Sequence, residues 1–230
     1  MINISIIIPT YNEKENIKKL IISINKILKK DFEIIIVDDH SPDGTGKIVA
    51  ELSKKYPVKC VHRKGKLGLS SAVIEGFKAA KGPVIGVMDA DFSHDINIVP
   101  QLIKPIINNE AELTIGSRYI KGGEIENWPL KRKVISRGAT LLSLPLTKIK
   151  DPMSGFFFLK KEVIEGIELN AKGYKILLEI IVKGSYDKVK EIPYTFVDRK
   201  SGKSKLNKSE YIDYLKNLFN LIKYKYLTLP

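Results

Sequence analysis

The sequence predicts an α/β fold, a doubly wound and mostly parallel sheet with flanking helices, and three observations carry that prediction. Short β-branched runs alternate with longer helical segments through the first half of the chain, the rhythm of repeated βαβ units. Runs such as SIIIP, EIIIVDD and VIGVMDAD are apolar on both faces, as strands covered by helices on both sides must be. Three of these runs close in acidic residues, at the carboxyl rim where a parallel sheet binds its ligands.

The first strand is expected from Ile4 to Ile8, stopped by Pro9, and is followed by a helix from about Asn12 to Lys29 and a strand from Glu33 to Val37. A helix from Thr45 to Tyr56 then precedes a strand from Val58 to His62, and a helix from Ser70 to Ala80 precedes one from Val84 to Met88. Further helices are expected over Ile98 to Asn108 and Lys131 to Leu144, with a strand from Leu113 to Ile115 and the loop KGGEIENWP between them. A strand at Phe156 to Leu159, a helix from Tyr174 to Lys183 and a strand from Val189 to Ile192 complete the sheet. The polar loop DRKSGKSKLN leads to a last helix near Ser209. With no repeat and no linker rich in Gly, Pro and Ser, the chain reads as one domain over residues 1–206, with a helical, membrane-facing appendage over 207–230.

Composition narrows the function classes. At 230 residues with 43% hydrophobic content the chain builds one sizeable core. Its single cysteine, Cys60, forms no internal disulfide, which suits a reducing cytosol. The start, MINISIIIPTYNEKE, lacks a basic segment before its short apolar run and does not read as a signal peptide. No window reaches the roughly 18 consecutive apolar residues of a membrane span. Lys and Arg number 39 against 26 Asp and Glu, a net +13, which implies an anionic partner: nucleic acid, phosphorylated small molecules or an anionic membrane surface.

The acidic strand ends are Pro9-Thr10-Tyr11-Asn12-Glu13, Asp38-Asp39 and Asp89-Ala90-Asp91. One acidic residue there is commonly a helix cap or turn former, as Asn12 and Asp43 can be. Three clusters on one rim repel each other unless something positive joins them. Leaving a strand, residues i and i+2 point the same way, so Asp89 and Asp91 are expected to reach one ion, or one ion plus a ribose hydroxyl. Oxygen donors favour Mg²⁺ or Mn²⁺ over zinc or copper, and so sparse a site expects a diphosphate to complete it.

PTYNE, VDDHSPDGT, MDADFSHD, GSRYIKGG, WPLKRKVISRGATLL, DPMSGF and DRKSGKSKL follow in that order between Ile4 and Leu206. In these the chain resembles the inverting glycosyltransferase family 2 of GT-A (nucleotide-diphospho-sugar transferase) fold, and within it the dolichol-phosphate mannose synthase branch of polyprenyl-phosphate mannosyltransferases. The resemblance implies transfer of mannose from GDP-mannose to a dolichyl or other polyprenyl phosphate, with inversion, dependent on Mg²⁺ or Mn²⁺. By motif, Pro9, Tyr11, Glu13, Val37 and Asp39 would hold the base and ribose. Asp89, Ala90 and Asp91 would hold the diphosphate end; Asp89 and Asp91 would take the metal, Asp91 directly, with Ser93 a second oxygen ligand. Arg199 and Lys205 would belong to a loop closing over the donor phosphates, with Gly202 as hinge. Arg118, Arg132 and Ser136 would meet the acceptor phosphate, Arg118 bordering the donor as well, and Asp151 would lie beside the transferred sugar. Asp95, where proline or histidine is common, and Ser93, where some relatives carry an amide, depart from the pattern and bear on the metal's identity and affinity.

A phosphate monoester is already anionic at pH 7, so such a reaction needs no protein base. Its difficulty is bringing two anions together, for which the sequence offers Arg118, Arg132, Arg137, Arg199 and Lys205, while Lys131, Lys133 and Lys148 read as a solvated helix face. Glu179 reads either as a packing or as a sugar-contacting carboxylate. His40, His62 and His94 lack metal-ligand spacing, and His40 and His94 read as loop residues. LKRKVISRGATLLSLPLTKIK and YIDYLKNLFNLIKYKYLTLP mix apolar and basic residues in the manner of helices resting in a headgroup layer. Together these lead us to expect a peripheral protein on the cytoplasmic face of a membrane; the resemblance adds a small membrane-anchoring subunit as a further partner. Three rival readings stand beside this one. A UDP-glucose donor is the nearest. An aspartate-nucleophile phosphatase would put VMDADFS on its first strand, not its fourth. Nucleic-acid binding rests on charge without any accompanying motif, and no nucleic-acid partner is expected.

Overall fold

A computed structural model describes residues 1–169, 175–198 and 208–228. Among these, nine strands form: β1 (Ile4–Thr10), β2 (Phe32–Asp38), β3 (Val58–His62), β4 (Val84–Val87), β5 (Leu113–Ser117), β6 (Glu124–Glu126), β7 (Phe157–Lys160), β8 (Val189–Pro193) and β9 (Thr195–Val197). Seven build the central sheet in the order β3-β2-β1-β4-β7-β5-β8, and β6 pairs with β9 apart from it. Within the sheet only β7 runs against its neighbours β4 and β5. Helices α1 (Lys14–Leu28), α2 (Thr45–Leu52), α3 (Leu69–Ala79), α4 (Val99–Ile107), α5 (Leu130–Leu142), α6 (Ile176–Lys183) and α7 (Lys208–Lys223) flank it.

Alternation along each strand sorts the core into two layers. Ile6, Ile8, Ile34 and Ile36 face one side and meet Ile17, Leu20 and Ile24 of α1 and Leu102 and Ile106 of α4. Ile7, Ile35 and Ile85 face the other and meet Val73 and Phe77 of α3 and Leu177 and Ile180 of α6. Each such side chain stabilises the fold by about 1.5–3 kcal/mol. Gly86 belongs to this packing, since a Cβ there would stand 2.2 Å from the Phe158 ring.

Several boundaries differ from the sequence expectation. Helix α2 ends at Leu52, because the chain turns through Ser53 to Tyr56 to enter β3. Helix α6 begins at Ile176; its expected first residue, Tyr174, lies outside the described residues. Strands β6 and β9 have three residues each, too few for alternation to register.

Strand order reverses at β1, which has β2 on one side and β4 on the other. The crevice beyond the carboxyl ends at such a switch point is where doubly wound sheets bind ligands. The chain leaves β1, β2 and β4 through left-handed residues, Asn12 (φ 61°), His40 (φ 58°) and Phe92 (φ 59°). For Phe92 that conformation costs about 1–2 kcal/mol, so contacts around its turn must hold it. Helix α7 buries Tyr214, Leu218 and Leu221 against Leu146, Met153 and Leu178. No helix among the described residues is long and apolar enough to cross a membrane.

Candidate active site

The acidic turn at the end of β4 stands beside the exit of β1. The alternation argument does not aim its carboxylates, because β4 stops at Val87 and residues 89–91 already belong to the turn. Local hydrogen bonds take over that role. Asp91 Oδ1 accepts from the Ser93 amide at 3.1 Å, and the Asp89 amide donates to His94 Nδ1 at 3.1 Å. Ser93 is buried, and its Oγ has no hydrogen-bond partner. Two carboxylates and a spare hydroxyl are hard oxygen donors of the kind Mg²⁺ and Mn²⁺ accept, so these residues fit a divalent ion. Among the described residues no group of three His, Cys, Asp or Glu could hold a metal alone, which leaves room for substrate oxygens.

His94, read from the sequence as a loop residue, is buried at 2% exposure. Its ring stacks on Phe156, with centroids 4.8 Å apart and planes 5° from parallel. Burial pushes its pKa down to about 4, against the opposing pull of Asp91, so the imidazole is neutral. From His94 an aromatic tract continues to Tyr194 at 5.8 Å and Phe196 at 6.0 Å, and from Phe196 to Trp128 at 5.2 Å. That tract joins the acidic turn to two arginines. Arg118 is buried and gives Nε and Nη2 to Asp151, at 2.7 Å each, while its own amide donates to the same carboxylate. Burial alone would lower its pKa; the Asp151 carboxylate more than reverses this. Arg132 on α5 lies 4.1 Å over the Trp128 ring and donates from Nη1 to both oxygens of Asp198 at 2.8 Å. Ser136, one turn on, accepts from the Tyr119 hydroxyl at 2.8 Å.

The remaining rim residues surround the end of β2. Asp39 accepts from Arg63 and from the amides of Leu67 and Gly68, at 3.1 and 3.0 Å, and so fastens the loop after β3. Lys66 of that loop lies 4.6 Å from the Tyr11 ring. Glu13 accepts from the Asn16 side chain at 2.9 Å. Pro9, Val37 and Ala90 are buried, Val37 in the layer under α3.

The chain matches the family model of glycosyl transferase family 2 over residues 5–167. It belongs to glycosyltransferase family 2. Within the family it is 51% identical over 227 residues to dolichol-phosphate mannosyltransferase of Pyrococcus furiosus, a match covering 96% of this chain. The chain spans 64% of that relative's length. It is 38% identical to the Saccharomyces cerevisiae enzyme of the same name, over 98% of this chain and 89% of that protein. These relatives place it in the dolichol-phosphate mannosyltransferase branch. Among solved structures, glucosyl-3-phosphoglycerate synthase from Mycobacterium tuberculosis, in complex with Mn²⁺, UDP-glucose and phosphoglyceric acid, aligns with a TM-score of 0.70 at 18% identity. It covers 97% of this chain and 79% of that one, and the likeness bears out the GT-A fold.

In this family 2 transferase the aromatic tract is the part that sequence reasoning missed. Arg199, Gly202 and Lys205 lie outside the described residues. Arg137 is exposed. Glu179 is buried and accepts from Lys183 at 2.7 Å. Trp128 opens the motif WPLKRKVISRGATLL without a role read for it, Arg63, Tyr194 and Phe196 carry no motif signal, and only the fold brings the four to the rim.

Proposed function

We propose that the chain transfers mannose from GDP-mannose to a dolichyl or related polyprenyl phosphate, inverting the anomeric centre. The observation that supports it is the continuous tract from the acidic turn, through His94 and Phe196, to Arg118 and Arg132. A diphosphate at the acidic turn would lie beside a second anion at the arginines, and the relatives are named for mannosyl transfer to dolichol phosphate, itself an anion. The nucleotide lies along the exits of β1 and β2, against Tyr11, Glu13 and Asp39. Its diphosphate reaches Asp89, Asp91 and Ser93, which would hold a Mg²⁺ or Mn²⁺ ion. That ion, when bound, offsets charge on the departing diphosphate.

The other residues position the acceptor. Asp151 takes two nitrogens of Arg118 and Asp198 takes one of Arg132, so each guanidinium is aimed by a carboxylate and presents its remaining edge to the phosphate. Ser136 lies on the same helix face as Arg132. The acceptor oxygen, already ionised at neutral pH, attacks the anomeric carbon as the bond from that carbon to the diphosphate breaks. No protein base is required, and charge complementarity held in advance lowers the barrier. Residues 1–206 form the catalytic body, and residues 207–230 with α5 rest on the membrane that holds the acceptor.

Turnover of radiolabelled GDP-mannose and UDP-glucose with a polyprenyl phosphate, with and without Mn²⁺, tests this. We expect mannolipid from GDP-mannose, abolished by EDTA and reduced at least about a hundredfold in Asp91→Ala. Glucolipid from UDP-glucose alone would reassign the donor, and an Asp91→Ala enzyme as active as wild type would remove the assigned metal site.

A further inference from the structure

We propose that His94 is a positioning residue for the acidic turn, its ring edge fixing both the main chain and the carboxylate of Asp89 in the arrangement that receives the metal and diphosphate. The inference rests on the donor reading above and adds to it a residue that touches neither substrate.

Two contacts of His94 point at Asp89. Nδ1 accepts from the Asp89 amide, which leaves the ring N–H on Nε2, and Nε2 lies 3.6 Å from Asp89 Oδ2. Both nitrogens therefore bear on one residue. The ring cannot swing away, because Phe156 stacks on its face while Tyr194 and Phe196 stand at its edges. A phenylalanine would satisfy that aromatic nest without burying polar atoms; burying an imidazole is favourable only where its nitrogens find partners. The turn also needs bracing, since Phe92 within it holds a left-handed conformation, and such strain persists only where surrounding contacts over-determine it. Gly155 closes the cradle from the DPMSGF side: a Cβ there would stand 3.5 Å from both Asp89 Oδ2 and His94 Cε1.

Two substitutions separate this role from packing. His94→Phe keeps the stack on Phe156 and removes both nitrogens; His94→Asn gives up the ring and offers a carbonyl oxygen to the Asp89 amide. Mn²⁺ affinity in the presence of GDP, read by electron paramagnetic resonance without turnover, is measured on the full chain alongside kcat and donor KM. We expect His94→Phe to bind Mn²⁺ about tenfold or more weakly, the usual loss when a group orienting a metal ligand is removed, with donor KM raised. His94→Asn should recover most of that affinity even where its melting temperature is lower. The reverse order, with His94→Phe like wild type and His94→Asn weak, overturns the proposal. A wild-type chain that binds no Mn²⁺ with GDP overturns the donor reading as well, so the two failures are distinct. If His94→Phe does not fold, ¹⁵N resonances of the wild-type imidazole decide: they should report the Nε2–H form and shift on adding Mg²⁺ and GDP, and a ring indifferent to both sinks the idea.

Discussion

Asp151 shows how a single residue changes meaning between sequence and structure. In DPMSGF it reads as a carboxylate beside the transferred sugar, and the motif says nothing of a partner 33 positions upstream. In the fold it is fully buried and takes three hydrogen bonds from Arg118. In the proposed reaction its effect runs through the arginine. Asp151→Asn keeps the shape and leaves a buried guanidinium without its counter-charge, a loss of about 3–5 kcal/mol. Chemical denaturation should show it directly, and a stability within about 1 kcal/mol of wild type would mean that Arg118 finds another anion. His94 is the opposite case. The sequence offered a lone histidine without ligand spacing, and its neighbours Phe156, Tyr194 and Phe196 come from segments 60 or more positions away, so only tertiary packing could disclose its burial.

At the scale of elements, the strands covered on both faces were legible to within a residue or two, because a run of consecutive isoleucines, buried along the whole seven-residue strand, has no exposed alternative. The direction of β7 was not. A strand's composition does not record which way its neighbours run, and β7 enters the sheet antiparallel between β4 and β5. The acidic rim was legible as a cluster, while the geometry of its turn was not, since a left-handed phenylalanine breaks the rule that sequence reasoning applied. One polar contact inside the sheet has a measurable consequence. Glu33 of β2 is buried and accepts from Ser5 of β1 at 2.7 Å and from the Lys81 amide at 2.8 Å, with Lys59 of β3 at 2.9 Å. Burial alone would raise its pKa, yet these partners outweigh it and hold the carboxyl below its ordinary 4.5. The unfolded chain thus takes up this proton first as pH falls. The stabilisation is complete above pH 4.5 and is lost progressively below it. Urea midpoints from pH 7 down to about pH 3 should fall more gently for Glu33→Gln than for wild type; parallel profiles would assign the acid sensitivity elsewhere.

Over the molecule, most of the exposed large apolar side chains among the described residues belong to α5, the turn after it and the C-terminal stretch. Helix α5 buries none of its residues fully, and Leu141, Leu142 and Leu144 are at least half exposed, as are Leu215, Phe219 and Leu227 of the C-terminal stretch. The two stretches adjoin: the Tyr226 hydroxyl donates to the Pro145 carbonyl at 2.7 Å and Lys225 Nζ to that of Leu146 at 2.8 Å. Lysines 131, 216 and 223 stand among the leucines, and the chain carries net +13. A bilayer surface with anionic headgroups complements both features. Each leucine immersed contributes about 1.5 kcal/mol or more, and each lysine near the surface about 1 kcal/mol. Flotation with vesicles should therefore show binding that strengthens with anionic lipid and weakens as salt shortens the screening length. Replacing Leu141 and Phe219 together with glutamine removes about 3 kcal/mol of apolar transfer, so partitioning should drop at least about tenfold while turnover of a short, water-soluble polyprenyl phosphate stays near wild type. Unchanged partitioning in that variant would place the membrane contact elsewhere on the molecule. Loss of turnover on the soluble acceptor as well would mean that these side chains support the fold of the site and not its approach to the bilayer.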